Sequence, residues 1–420
     1  MINFTRTILE NGLRLIVHED SSTPLAVVNL LYNVGSSDED PEMTGLAHLL
    51  EHIMFGGSVN IPSYDRVIQK TGGENNAFTS NDITNYYIQL PAVNLETALW
   101  LESDRMLDLR FTQKGLDIQR NVVIEEFKQR YLNQPYGDVW MLLRPLAYRI
   151  HPYKWPTIGM DISHIESITL DDIKKFFYEH YCPSNAILTI TGNVDSANCI
   201  RLAKKWFGTV PRRKTSSRAL PVEPPQKESR RKDVSRDVPS DEIIMAFHMC
   251  GRYSFRFYTY DLISDLLANG KSSRFYRHLI MEKKLFSSIN AYITGDRDPG
   301  LFIIKGKPAD KVTIEQAYEE ILAEIYDFLK NPPTDPELEK VKNKVEATRQ
   351  YTHSDILHKA IDLAYHELMD DAGGINSEIE KYRKVSIEDI METAKRLFDN
   401  SNSSTLFYHA TKKTSGLETE

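Results

Sequence analysis

His48, Glu51 and His52 form a His-x-x-Glu-His pattern within Gly45-Leu46-Ala47-His48-Leu49-Leu50-Glu51-His52-Ile53-Met54-Phe55. Leu46, Leu49, Leu50, Ile53 and Met54 recur at helical spacing, which predicts a helix rather than a strand. Thr44 can cap its start and the Gly56-Gly57 pair can end it. On such a helix both imidazoles project from one face, one turn apart. Two neutral imidazoles so placed can hold one Zn²⁺ at roughly 2.0–2.1 Å each. Glu51 lies nearly on the same face. It can reach a zinc-bound water without occupying the metal, which suits a general base. The competing reading is two surface histidines on an amphipathic helix. The apolar flanks argue against it, because they turn the face inward, where histidine and carboxylate need partners.

A catalytic zinc takes three protein ligands and keeps a fourth position open. The third should come from another element, and the helix predicted around Asp117–Lys128 offers Glu125 and Glu126. At about 100° per residue, Ile118, Val122, Val123 and Phe127 define an inward face. Glu126 falls near the centre of that face, and Glu125 is rotated roughly 110° away towards solvent. Glu126 is therefore the expected ligand and Glu125 a solvated surface acid. The alternative for Glu126 is a buried salt bridge. Gln119 falls on the inward face two turns earlier.

These residues need a scaffold. Thr5 to His18 reads as a hairpin turning at Asn11-Gly12, followed by a strand at Leu25–Val34. After the zinc helix come a short helix at Ser63–Thr71 and a strand pair, Glu74–Ser80 and Ile83–Leu90. Helices are expected at Asn94–Leu109, Lys114–Leu132, Tyr136–Arg149 and Thr169–His180, then a strand at Ala186–Thr191. Between Pro211 and Pro239, prolines and the charged run Lys227–Lys232 suggest an interdomain linker. Beyond it, strands are expected at Glu242–Met249, Ser287–Thr294 and Leu301–Lys305. Helices are expected at Tyr258–Met281, Thr313–Leu329, Asp335–Met369 and Ser386–Phe398. Thr169-Leu-Asp-Asp-Ile173 and Ser386-Ile-Glu-Asp-Ile390 each start a helix that leads into a strand, 217 residues apart. That repeat suggests duplication. The expected fold is α+β: two tandem homologous domains, each a largely antiparallel sheet with helices packed on one side. The first domain, 1–212, carries the zinc site. A linker follows at 213–238, and 239–420 is a non-catalytic domain of similar fold.

A chain of 420 residues, 41% hydrophobic and 26% charged, has the composition of a globular enzyme. Its net charge of −8 argues against nucleic acid as a partner. Three cysteines, Cys182, Cys199 and Cys250, make no disulfide framework and have no metal-type spacing. No signal peptide or long apolar span is seen. The expectation is a cytoplasmic protein with no membrane partner, a periplasmic one if a leader has been removed.

The pattern inverts the His-Glu-x-x-His of most zinc proteases. With its flanking residues it resembles the zinc helix of the inverzincin peptidases: pitrilysin, insulin-degrading enzyme and mitochondrial processing peptidase. The resemblance is to short bacterial members that look like one processing-peptidase subunit. It implies a zinc-dependent endopeptidase acting on peptides or unfolded segments, with one Zn²⁺ per chain. It also implies Glu126 as third ligand, being the second Glu of Val122-Val123-Ile124-Glu125-Glu126, and a supporting role at Gln119, where the family commonly has Glu. Gly72-Gly73-Glu74-Asn75-Asn76-Ala77-Phe78 resembles the substrate-binding edge strand, with Asn76 and Ala77 at the contact. Phe55 resembles the residue lining the pocket after the scissile bond. A Gly-x-Ser-Ser-Arg helix start matches Gly270-Lys271-Ser272-Ser273-Arg274. The Arg and Tyr that follow it in the family fall here on Ile280 and Ser287. This implies a second chain of similar fold that supplies the pair, as a heterodimer; a homodimer is the alternative. A catalytically silent structural or assembly subunit of the same fold is the competing function. A metal-dependent hydrolase of a non-peptide substrate has no phosphate loop or second metal cluster behind it.

Overall fold

The first hairpin forms as its alternation predicts. In the computed structural model, which describes residues 1–213 and 219–411, Thr5–Ile8 (β1) and Arg14–Glu19 (β2) pair antiparallel. Leu25–Tyr32 (β3) is an almost continuous apolar run, as a strand covered on both faces must be. Then come Leu46–Ile53 (α1), Tyr64–Thr71 (α2), Glu74–Thr79 (β4) and Thr84–Pro91 (β5). Gly72 ends α2 at φ +67°, a left-handed conformation that favours glycine. Leu95–Leu107 (α3), Gln113–Phe127 (α4), Val139–Ala147 (α5), Ile162–Ser167 (α6) and Leu170–His180 (α7) follow, then Ala186–Gly192 (β6) and Ser196–Phe207 (α8).

The second half begins with Arg230–Arg236 (β7), Glu242–His248 (β8) and Arg256–Ala268 (α9). Phe286–Ile293 (β9) and Leu301–Pro308 (β10) form a hairpin, followed by Ile314–Lys330 (α10) and Asp335–Thr352 (α11). Ile356–Met369 (α12), Gly374–Arg383 (α13), Ile387–Leu397 (α14) and Ser403–Ala410 (β11) complete the described chain. The single helix expected over Asp335–Met369 is two, because Asp355 accepts from Leu357 N–H and starts α12 afresh. Among the described residues no helix is long and apolar enough to cross a membrane.

The chain forms two compact units. One comprises Met1–Lys128, Trp155–Pro221 and Ala347–Glu378; the other comprises Gln129–Lys154, Val222–Glu346 and Ile379–Glu420. The expected linear division into 1–212, 213–238 and 239–420 is thus corrected: each unit draws a segment from the opposite half of the sequence. Residues 230–236 of the expected linker form β7, a strand at a sheet edge. Positions 214–218 of that linker and 412–420 of the expected second domain lie outside the described residues.

In the first unit the sheet order is β1-β2-β6-β3-β5-β4, with β2 and β6 parallel and the other pairs antiparallel. In the second it is β7-β11-β8-β10-β9, with β7 and β11 parallel. Setting β1 aside, both sheets place their strands in the order first, last, second, fourth, third. The duplication suggested by Thr169 and Ser386 extends to this topology. Both residues cap their helices the same way, Thr169 with Asp172 and Ser386 with Asp389 in reciprocal capping boxes.

Each sheet buries one face under helices of its own half. In the second unit α9, α10 and α14 pack with Ile243, Met245, Phe302 and Ile304. The other face of that sheet, with Ile244, Ala246, Ile303 and Leu406, takes Val139 and Leu143 of α5. In the first unit Leu363 and Ala364 of α12 pack on Ile16, Leu31 and Ile187. Ile356 and Ala360 of the same helix cover Val27.

Candidate zinc centre

Helix α1 buries Leu46, Leu49, Leu50 and Ile53 and leaves His48 and His52 half-buried on the opposite side. Its start differs from expectation. Gly45 stands at φ +93°, and a Cβ there would lie 2.7 Å from the Ile158 carbonyl, so only glycine fits. Thr44 is not the cap. Its hydroxyl accepts from Met160 N–H at 2.7 Å and meets His164 Nδ1 at 2.9 Å. The first-turn N–H groups of Gly45 and Ala47 donate instead to the buried Glu39 carboxylate, at 3.0 and 2.8 Å. An acid at a helix N-terminus meets unpaired donors and the positive end of the dipole.

Helix α4 begins at Thr112, whose hydroxyl accepts from Gly115 N–H at 3.1 Å. Its buried stripe is Leu116, Val123, Ile124 and Phe127. Ile118 and Val122, expected inside, are 49% and 46% exposed. The stripe is therefore rotated from the one predicted, and Glu126 sits on its flank rather than at its centre. The choice between the two acids stands all the same. Glu125 is exposed and pairs with Lys128 at 2.8 Å, whereas Glu126 turns towards the histidines.

Glu126 Oε2 lies 3.5 Å from His52 Nε2 and 3.8 Å from His48 Nε2. The histidine rings stand nearly edge to face with centroids 4.8 Å apart. Candidate ligand atoms of all three residues lie within 4.8 Å of one another. Tetrahedral ligands each about 2.0–2.1 Å from a zinc ion are separated by roughly 3.4 Å, and the two separations from Glu126, 3.5 and 3.8 Å, are already close to that. Two imidazoles and one carboxylate are the donor set of several zinc hydrolases. Side-chain exposures of 14% for His48, 23% for His52 and 18% for Glu126 leave an approach for a fourth ligand.

Glu51 is 8% exposed. Burial pushes its carboxyl above the usual range, and a hydrogen bond from Thr79 pulls it back in part. Behind it lies a cluster that no spacing in the sequence announces. The buried Arg105 guanidinium stands 4.3 Å from the Tyr86 ring centroid, 4.5 Å from Tyr64 and 5.4 Å from Phe55. It pairs with Glu102, one turn before it on α3, and Glu102 also accepts from the Tyr64 hydroxyl at 2.6 Å. Glu102 and Arg105 at i, i+3 were a legible pair, but nothing in the sequence marked them as buried.

Among the described residues strand β4 is an edge of its sheet, paired only with β5. Its residues alternate in exposure, with Asn75, Ala77 and Thr79 on the more covered side and Asn76 and Phe78 exposed. Asn76 and Ala77 therefore do not share a face. The Asn76 side-chain oxygen accepts from Ala77 N–H at 2.8 Å. Phe55 packs edge-on against Tyr64, centroids 6.0 Å apart, and tilted against Tyr86 at 6.1 Å. Gln119 is half-buried, two helical turns before Glu126 on the same flank of α4.

Residues 14–161, which hold every member of this cluster, match the family described as Insulinase (Peptidase family M16). Residues 167–345 match its companion, the Peptidase M16 inactive domain. The chain belongs to peptidase family M16. It is 30% identical over 410 residues to zinc protease PqqE of Helicobacter pylori, covering 95% of this chain and 91% of that one. It is 25% identical to an uncharacterized zinc protease of Bacillus subtilis, covering 81% and 82%. Among solved structures, a protease from Helicobacter pylori superposes with a TM-score of 0.90 at 28% identity, over 97% of this chain and all of that one. Pitrilysin shares the fold, with a TM-score of 0.79 at 17% identity; 99% of this chain covers 46% of it. The inverzincin resemblance is thus established. With its His/His/Glu cluster the M16 chain is a zinc-dependent metalloendopeptidase that takes one zinc ion, not a purely structural subunit.

Proposed function

We propose that this M16 peptidase cleaves within extended peptides or unfolded polypeptide segments, and that it works beside a second chain of similar fold. The observation that carries the chemistry is the convergence of His48, His52 and Glu126 with Glu51 next to them. When bound, zinc supplies Lewis acidity that activates water and polarises a carbonyl. His48, His52 and Glu126 hold the ion. Glu51 accepts the proton of the attacking water and returns it to the leaving amine. An extended substrate adds to the free edge of β4 through main-chain hydrogen bonds, with Ala77 small enough to admit its backbone. Phe55, steadied by Tyr64, Tyr86 and Arg105, offers an apolar wall to the residue after the scissile bond. Gln119 gives the site a hydrogen-bonding group without charge.

The partner is argued from two positions. Where the family resemblance expects Arg and Tyr, this chain has Ile280, packed against the second unit's core, and Ser287, exposed on β9. The chain also spans about half the length of pitrilysin. A partner carrying the Arg/Tyr pair would complete the site. The proposed cytoplasmic location is supported by three free thiols, at Cys182, Cys199 and Cys250. Affinity isolation from the native source followed by size exclusion and a fluorogenic-peptide assay tests the pairing. The expected result is co-purification with a similar-sized chain and a rise in turnover when the two are combined. A homodimer with full activity overturns it.

A further inference from the structure

We infer that Thr79 is a positioning residue for Glu51, locking the carboxylate on the zinc helix to the end of the edge strand. Thr79 Oγ1 donates to Glu51 Oε2 at 2.5 Å. The bond spans two elements, β4 and α1, whose residues are 28 apart in sequence.

Thr79 is itself immobilised by backbone. It forms the last rung of β4–β5 opposite Thr84. The next residue, Ser80, closes the turn: its N–H donates to Ile83 O at 2.8 Å, and its hydroxyl accepts from Asp82 and Ile83 N–H at 3.2 and 3.1 Å. The turn is clamped from outside. Ser36 N–H donates to Ser80 O at 3.0 Å and Ser37 N–H to Asn81 O at 2.9 Å. Gly35 approaches so closely that a Cβ there would lie 2.5 Å from both carbonyl oxygens. Trp155 Nε1 holds the clamping loop by donating to Ser36 O at 2.9 Å. The Thr79 hydroxyl is therefore a fixed point against which a flexible side chain is set.

Glutamate has three side-chain torsions and several accessible rotamers, and a single donor can select one. With Oε2 accepting from Thr79, Oε1 is left to take the proton. The strand that holds Thr79 is also the edge proposed to receive the peptide. One rigid element would then set both the substrate's register and the base's orientation. Such a bond acts on the chemical step rather than on binding, because it orders a group that acts after the peptide is seated.

The inference rests on Glu51 as the base, and the experiment separates the two. Thr79→Val removes the donor at nearly constant volume, and Thr79→Ser restores it. Zinc content, melting temperature and steady-state kinetics on a fluorogenic peptide are measured on the full chain in its peptide-cleaving form. Thr79→Val is expected to lower kcat about 10- to 100-fold with KM within about twofold, the scale of one hydrogen bond to a charged group. Zinc content is expected to stay at one per chain, and Thr79→Ser to recover most of the rate. Unchanged kcat in Thr79→Val, a loss confined to KM, or a Ser variant no better than Val overturns the inference. If Glu51→Gln is fully active, the reading of Glu51 fails first. If Glu51→Gln is inactive while Thr79→Val is not impaired, only the role of Thr79 fails.

Discussion

Exchanging Glu51 for Gln should separate proton transfer from metal binding. Gln has the same length and, by turning its amide, can offer its carbonyl oxygen to the Thr79 hydroxyl that now meets Glu51 Oε2 at 2.5 Å. The ligand atoms of His48, His52 and Glu126 are untouched, so the variant should bind zinc one to one. What is lost is the proton acceptor. General-base catalysis contributes about 10²- to 10⁴-fold, so kcat should fall by that factor, about 3–5 kcal/mol in the barrier. Glu51→Asp tests placement apart from charge. It keeps the carboxylate but retracts it by about 1.5 Å, one carbon–carbon bond, beyond hydrogen-bonding reach of Thr79. Its kcat should therefore also fall, by at least about tenfold. Metal analysis by mass spectrometry, paired with a fluorogenic-peptide assay, reads both quantities on one preparation. Full turnover by zinc-loaded Glu51→Gln would refute the assignment of the base. Loss of zinc from that variant would show that Glu51 helps to hold the ion.

Two further outcomes follow from the geometry. Glu126→Ala should lose zinc and turnover together, whereas Glu125→Ala, which removes an exposed partner of Lys128, should leave metal content and rate unchanged; the paired metal analyses decide. Arg105→Met leaves the fully buried Glu102 without its cation and should cost about 3–5 kcal/mol in urea unfolding, while Glu102→Leu with Arg105→Met should recover much of that. Equal losses in the single and double variants would mean that the pair does not bury charge as described.

The zinc helix was legible because its information is local. Leucines at helical spacing and histidines four apart define a face without reference to any other residue. The duplication was legible for the same reason, since the Thr169–Asp172 and Ser386–Asp389 caps are written within three residues. Glu126 was legible only in part. Periodicity separated it from Glu125, yet the buried stripe proved to be Leu116, Val123, Ile124 and Phe127, with Ile118 and Val122 exposed. Hydrophobic phase locates what can be buried; the packing partner decides which apolar residues are.

By itself the sequence determined the zinc-binding face, most of the order of strands and helices, and the repeated plan of the two halves. Only the tertiary structure decided three things. It made a strand of Arg230–Arg236, whose charged run carries no apolar alternation and forms only because β11 offers a pairing edge. It assigned α5 and α12 to sheets from opposite halves of the sequence, because an apolar helix face does not name the sheet that will cover it. And it brought the hydroxyl of Thr79 to the carboxylate of Glu51, a contact fixed by where a turn is clamped in space, which no spacing along the chain records.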